Sequence, residues 1–120
     1  ENQDQGSGES GILDTAAGLR SMGGNADIYR QVLVEYHNEN LDTLDKLALS
    51  IEAKRYSDAA QIVHKVKSSS GSIGANTLHA VAASLQKALK EEKDDEVALL
   101  QLDFSKMLRN LLEEIQRFLS

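Results

Sequence analysis

Residues 56–74, YSDAAQIVHKVKSSSGSIG, decide how this chain folds. On local propensity, a helix beginning at Tyr56-Ser57, with Ser57 or Asp58 near its N-terminus, should break near Lys67. Gly71 in a helix interior costs about 1 kcal/mol relative to Ala, and the serines add smaller penalties. The apolar pattern argues the other way. At about 100° per residue, Val63, Val66, Ser69, Ser70 and Ile73 continue in phase the stripe that starts at Ile62, and Ser69 and Ser70 are small enough to admit a neighbouring helix. Tertiary packing overrides weak propensity when such a stripe is buried. The segment is therefore predicted to stay helical to about Ile73 and to end at Gly74, which tolerates positive φ.

His64 stands opposite that stripe. Lys67, Ser68 and Gly71 project within roughly 60° of it, and Lys65 adds positive potential from the flank. A core histidine would sit inside the apolar stripe, whereas this one faces outward among small residues, with Ser57 and Ala60 in the turns before it. A large partner can reach its ring.

On either side the same periodicity continues. A short helix is expected over Ile12 to Met22, stopped by Gly23-Gly24, and Asn25 can cap the next helix. From Ala26 to about Lys54, Ile28, Val32, Leu33, Tyr36, Leu41, Leu44, Leu47, Ala48 and Ile51 recur at helical spacing and predict one long helix bent near Asn38 to Asn40. Asn76 can cap a further helix with Leu78, Val81, Ala82, Leu85 and Leu89 on its core face. The run Glu91 to Glu96 reads as that helix's solvated end and a charged turn. Val97, Leu100, Phe104, Leu108, Leu111, Ile115, Phe118 and Leu119 then trace a last amphipathic helix. Four main helices with short connections predict an all-α fold: an antiparallel up-down-up-down four-helix bundle with a short additional N-terminal helix.

Composition agrees. The chain has 120 residues, no proline, no tryptophan and only three tyrosines and two phenylalanines, so a single core must be built from aliphatic side chains. A net charge of −6 argues against nucleic acid as the main partner, because phosphate backbones are bound through basic surfaces. No apolar run is long enough for a membrane span, and no membrane contact is expected. The absence of cysteine removes disulfide and thiolate chemistry and is compatible with the cytoplasm. Residues 1–11, ENQDQGSGESG, are polar and aperiodic and read as a disordered linker or cloning remnant, leaving residues 12–120 as one domain. Beginning at Glu1 rather than Met, the chain reads as a piece of a longer protein.

The residues around His64 suit phosphoryl chemistry. A neutral imidazole is a nucleophile near neutral pH and can hold a phosphoryl group covalently. Transfer needs in-line placement and charge neutralisation, and Lys67, one turn away on the same face, is placed to meet phosphoryl oxygens. There is no GxxxxGK[ST] loop or other nucleotide-binding signature, so the chain is not expected to phosphorylate itself or to act as an autonomous enzyme. Metal binding is not expected either. Di-iron bundles carry Glu-x-x-His pairs, whereas Val34, Gln61 and Asn76 stand three residues before His37, His64 and His79. His37 and His79 are expected to be surface or boundary residues.

His64, Lys67, small residues Ser68 to Ser70, Gly71 and Gly74 together resemble the motif of the histidine-containing phosphotransfer (HPt) domains of bacterial and plant phosphorelays. The resemblance extends over the predicted helices from Ala26 to Ser120; the glycine that usually follows the lysine is Ser68 here. It implies that His64 accepts a phosphoryl group from a receiver-domain aspartate and passes it to another receiver aspartate, with Lys67 assisting. It implies docking of receivers against Lys65, Ser68, Gly71 and Gly74. It also implies Mg²⁺ in the receiver rather than in this chain, and a polar residue, Gln86, orienting the imidazole. A monomer is expected, in the cytoplasm, as the C-terminal domain of a hybrid sensor kinase that could itself be membrane-bound. The alternative is a helical interaction module of the same shape whose His64 is never phosphorylated.

Overall fold

The serine-rich segment is helical from end to end. In the computed structural model, which describes residues 12–120, it belongs to α4 (Tyr56–Ile73), flanked by α1 (Thr15–Ser21), α2 (Ala26–Glu39), α3 (Thr43–Glu52), α5 (Asn76–Lys90) and α6 (Asp94–Leu119). The linker expected over residues 1–11 lies outside the described residues. The all-α expectation holds: six helices and no strand make up the described chain. α4 packs along α5 and α5 along α6, while α1 and α3 flank α4 and α2 covers α6 and α4. Leu33, Leu47, Val63, Leu85, Phe104 and Leu108 are buried where these helices meet.

Hydrogen bonds from elsewhere in the chain hold the weak end of α4. Ser70 is fully buried, and its hydroxyl pairs with Tyr36 Oη at 2.7 Å. Ser69 and Ser72 fold their hydroxyls back onto the carbonyls of Lys65 and Ser68, at 2.9 and 3.2 Å, which satisfies them inside a helix at little cost. The last carbonyls of a helix lack intrahelical partners, yet here each finds one. Ser70 O accepts from Ala75 N, Gly71 O from Gly74 N, Ser72 O from Ser21 Oγ, Ile73 O from Tyr29 Oη and Gly74 O from Asp14 N. The first two bonds, with Gly74 at φ +95°, form a Schellman end.

Four expectations need correction. The long helix over Ala26 to Lys54 is two helices, because Asn40 turns its side chain onto the backbone. Its Nδ2 donates to Tyr36 O at 2.8 Å and its Oδ1 accepts from Thr43 Oγ1 at 2.8 Å, the local competition that makes asparagine a helix terminator. The first helix starts at Thr15 rather than Ile12, because Asp14 serves as its N-cap, accepting from Ala17 N at 3.0 Å. Asn76 does not cap α5: Ala75 holds that position, its N–H already spent on Ser70 O, and Asn76 is the first helical residue. Asp94, Asp95 and Glu96 belong to the first turn of α6, where negative charge favours the helix dipole. The preceding turn is made by Glu92 at φ +55°.

Burial of two tyrosines against α4 makes the fold sensitive to alkali. Burial, reinforced by the charge of Asp14, pushes the Tyr29 hydroxyl up to about 12. Burial pushes Tyr36 up to about 12 against the opposing bond to Ser70. Both values are raised above the ordinary 10.0, so their contribution is complete below the ordinary value and falls as pH rises toward the folded one. Across that window the unfolding free energy should drop by about 1.4 kcal/mol per pH unit for each tyrosine. Ultraviolet titration of tyrosinate should show these two ionising together with loss of helical circular dichroism. Ionisation near the ordinary value with helicity intact would contradict the packing described.

Candidate functional site on helix α4

His64 projects from the middle of α4 into solvent, as do Lys65 and Ser68, while Lys67 is half-buried. The α4 residues that pack inward, Ala60, Val63, Val66 and Ser70, are buried, and this fixes the outward direction of His64 by helical geometry alone. The closest polar neighbour of the ring comes from α5: Gln86 Nε2 lies 3.2 Å from His64 Nδ1. An amide nitrogen donates, so in this arrangement Nδ1 accepts and the proton of a neutral ring resides on Nε2. Turning the amide end over presents Oε1 instead, which accepts from an Nδ1–H and leaves Nε2 with its lone pair. Gln86 is thus positioned to select between the two tautomers.

A groove of about 480 Å³ runs beside His64 between the first half of α4 and the end of α5, floored by Ala60 and Leu89 and edged by Tyr56 and Gln61. Its outer corner is fixed by a triad of exposed side chains. Tyr56 Oη donates to Asp94 Oδ1 at 2.8 Å, and Lys54 Nζ approaches Asp94 Oδ2 at 3.3 Å. The phenol hydrogen bond, then the lysine, hold the Asp94 carboxyl below its ordinary value, and the same bond raises the Tyr56 hydroxyl. These contacts tie the start of α4 to the start of α6, so the groove is walled by helices braced against one another.

The structure brings His64, Lys65, Lys67, Ser68 and Gln86 onto or beside one face, but it separates the two glycines from open solvent. Gly74 is buried, and a Cβ there would fall on the Asp14 carbonyl. It belongs to the packing of the N-terminal segment, and its expected place on the docking surface is corrected accordingly. Gly71 is only partly exposed and faces α5, where a Cβ would stand 3.1 Å from His79 Nδ1. Its missing side chain makes room for an imidazole of the same chain. The sequence alone marks His79 as no more than a boundary histidine. It is half-buried, with Nδ1 at 2.8 Å from the Lys67 carbonyl. The available signal is its spacing from Gln86, which places both on one face of α5.

His37 sits in the last turn of α2. Among the described residues no group of three or more His, Asp or Glu side chains is arranged to hold a metal ion. No helix among them is long and apolar enough to cross a membrane.

No curated protein and no solved structure matches the chain. The family model for the Hpt domain matches residues 29–118. That span takes in α4 and α5 with every residue of the His64 face, and the chain belongs to the Hpt domain family.

Proposed function

We propose that this domain carries a phosphoryl group on His64, taking it from the aspartyl phosphate of one receiver domain and delivering it to the aspartate of another. Family membership implies phosphotransfer within a phosphorelay. The observation that carries the residue-level reading is the exposed His64 ring with Gln86 on Nδ1 and no described residue bonded to Nε2.

With the Gln86 amide turned so that Oε1 accepts from Nδ1–H, the Nε2 lone pair attacks phosphorus in line. The Nε2–P bond forms as the bond to the aspartyl oxygen breaks, and the receiver's carboxylate leaves with the electron pair. Lys67 meets the charge on the phosphoryl oxygens, where a charge-assisted contact is about twice as strong as a neutral one. The reverse sequence unloads His64 onto a second receiver. Mg²⁺ and the carboxylates that hold it belong to the receiver. Lys65 and Ser68 flank the approach, and the groove over Ala60 admits the receiver's surface.

We read α2 with α3, α4, α5 and α6 as the four rods of an antiparallel bundle, with α1 added across the end of α4. Residues 12–120 are read as one monomeric, cytoplasmic domain, the C-terminal part of a hybrid sensor kinase.

Incubation with a receiver carrying labelled aspartyl phosphate tests the reading. Label should move to this protein, survive alkali and be lost in acid, as a phosphoramidate is. Failure to move from several receivers to a folded sample would favour an interaction module.

A further inference from the structure

His79 and Gln86 leave α5 from the same face, two turns apart, and both reach α4. Gln86 meets the His64 ring, and His79 meets the Lys67 carbonyl at 2.8 Å. A carbonyl only accepts, so His79 Nδ1 donates and holds the proton of the neutral ring. The helical ladder engages one lone pair of that carbonyl and leaves the second for the imidazole. Room for the ring comes from Gly71, where a Cβ would stand 3.1 Å from Nδ1. On either side of His79, Ala75 at the N-cap of α5 and Ala82 one turn further on are both fully buried and both too small to interlock deeply with a neighbouring helix.

We propose that His79 is a positioning residue for the His64 face: its bond to the Lys67 carbonyl holds α5 in the register against α4 that sets Gln86 on His64. This rests on the reading of His64 as phosphoryl acceptor. The assignment as positioning rather than phosphate-binding comes from the proton. With Nδ1–H committed to Lys67 O, the remaining nitrogen of a neutral His79 is an acceptor and offers no donor to a phosphoryl oxygen. The tie also acts on the backbone of the residue whose ammonium group is to meet the phosphoryl group. Both members of the catalytic face are then referenced to α5, His64 through Gln86 and Lys67 through His79.

The test compares His79→Leu, which keeps bulk and loses the donor, with His79→Asn, whose amide nitrogen can donate from near the place of Nδ1. Nitrogen-15 spectra of the wild-type protein should show neutral His79 in the Nδ1–H form. In His79→Leu the His64 ring and Gln86 amide resonances should move. The maximal rate of phosphoryl transfer from a saturating phospho-receiver should fall about tenfold, the scale of a small misplacement of reacting groups, with the half-saturating concentration little changed. His79→Asn should recover most of both. Gly71→Ala, which crowds the ring without touching the donor, should reproduce the Leu spectra. Wild-type resonances and rate in the Leu variant, or equal impairment by Leu and Asn, would overturn the proposal. Should the Leu variant fail to fold, the Asn and Gly71→Ala variants decide it on the same readouts. If wild-type protein accepts no phosphoryl group, the carrier reading falls, while the resonance shifts still decide whether His79 orients His64.

Discussion

His64→Gln is expected to abolish phosphoryl acceptance, leaving only background label, while the protein melts within a degree or two of wild type. The functional loss is complete in principle because an amide nitrogen has no available lone pair to attack phosphorus, whereas a neutral imidazole does. The small structural effect reflects position. His64 is exposed on α4, and its one described bond is a 3.2 Å contact with Gln86; substitutions at such surface sites usually stay within about 0.5 kcal/mol. Lys67→Ala should behave differently, accepting label at a rate reduced roughly ten- to hundredfold, since one charge-assisted hydrogen bond is worth about 1.5–3 kcal/mol. Rates of label uptake, with thermal melts by circular dichroism on the same samples, measure both effects. Acid-labile label persisting in His64→Gln would move the acceptor to His37 or His79. Full-rate uptake by Lys67→Ala would remove the charge argument.

The helical core of the domain was legible because burial in α4, α5 and α6 follows the 3.6-residue period. Val63, Val66, Leu85, Phe104 and Leu108 are all buried as their spacing requires. What could not be read from periodicity was settled by polar side chains acting across the chain. The buried positions Tyr29, Leu33, Tyr36, Thr43, Leu47 and Ser50 keep one phase on both sides of Asn40, although Ile28, Leu41 and Ala48 of the apolar stripe are exposed. The bonds of the Asn40 side chain to Tyr36 O and Thr43 mark the end of α2. Conversely, the serine-rich end of α4 reads locally as a linker, and it is helical because Tyr29, Tyr36, Ser21 and Asp14 reach it from outside. The face of His64 was legible for the same reason as the core. The orientation of Gly71 toward His79 was not, because angles around one helix say nothing about which outward sector a neighbouring helix covers. Gly71 and His64 differ by only about 20° around α4, yet one is crowded by α5 and the other stands in solvent.

Gly74→Ala is expected to cost the fold about 2–5 kcal/mol, from two separable causes. The first is conformational: a residue with a Cβ pays about 1–2 kcal/mol in the left-handed region, and Gly74 sits at φ +95°. That penalty is tolerated elsewhere in this chain, since Lys54 and Glu92 end their helices at φ +61° and +55°. The second cause is particular to position 74. Its Cβ would land on the Asp14 carbonyl, with Gly18 N at 3.0 Å. Asp14 cannot retreat without giving up its N–H bond to Gly74 O at 2.9 Å and shifting the N-cap of α1. Overpacking of this kind costs about 1–3 kcal/mol, a large part of the roughly 5–15 kcal/mol that holds a domain together. Gly23→Ala is the control, because Gly23 has φ +68° but nothing within 4 Å of its Cβ position, so it carries the conformational cost alone. Urea unfolding of the two variants should therefore give a distinctly lower midpoint for Gly74→Ala. Equal midpoints would mean that the segment around Asp14 yields freely, and that the α1 contact contributes little to holding the end of the helix that bears His64.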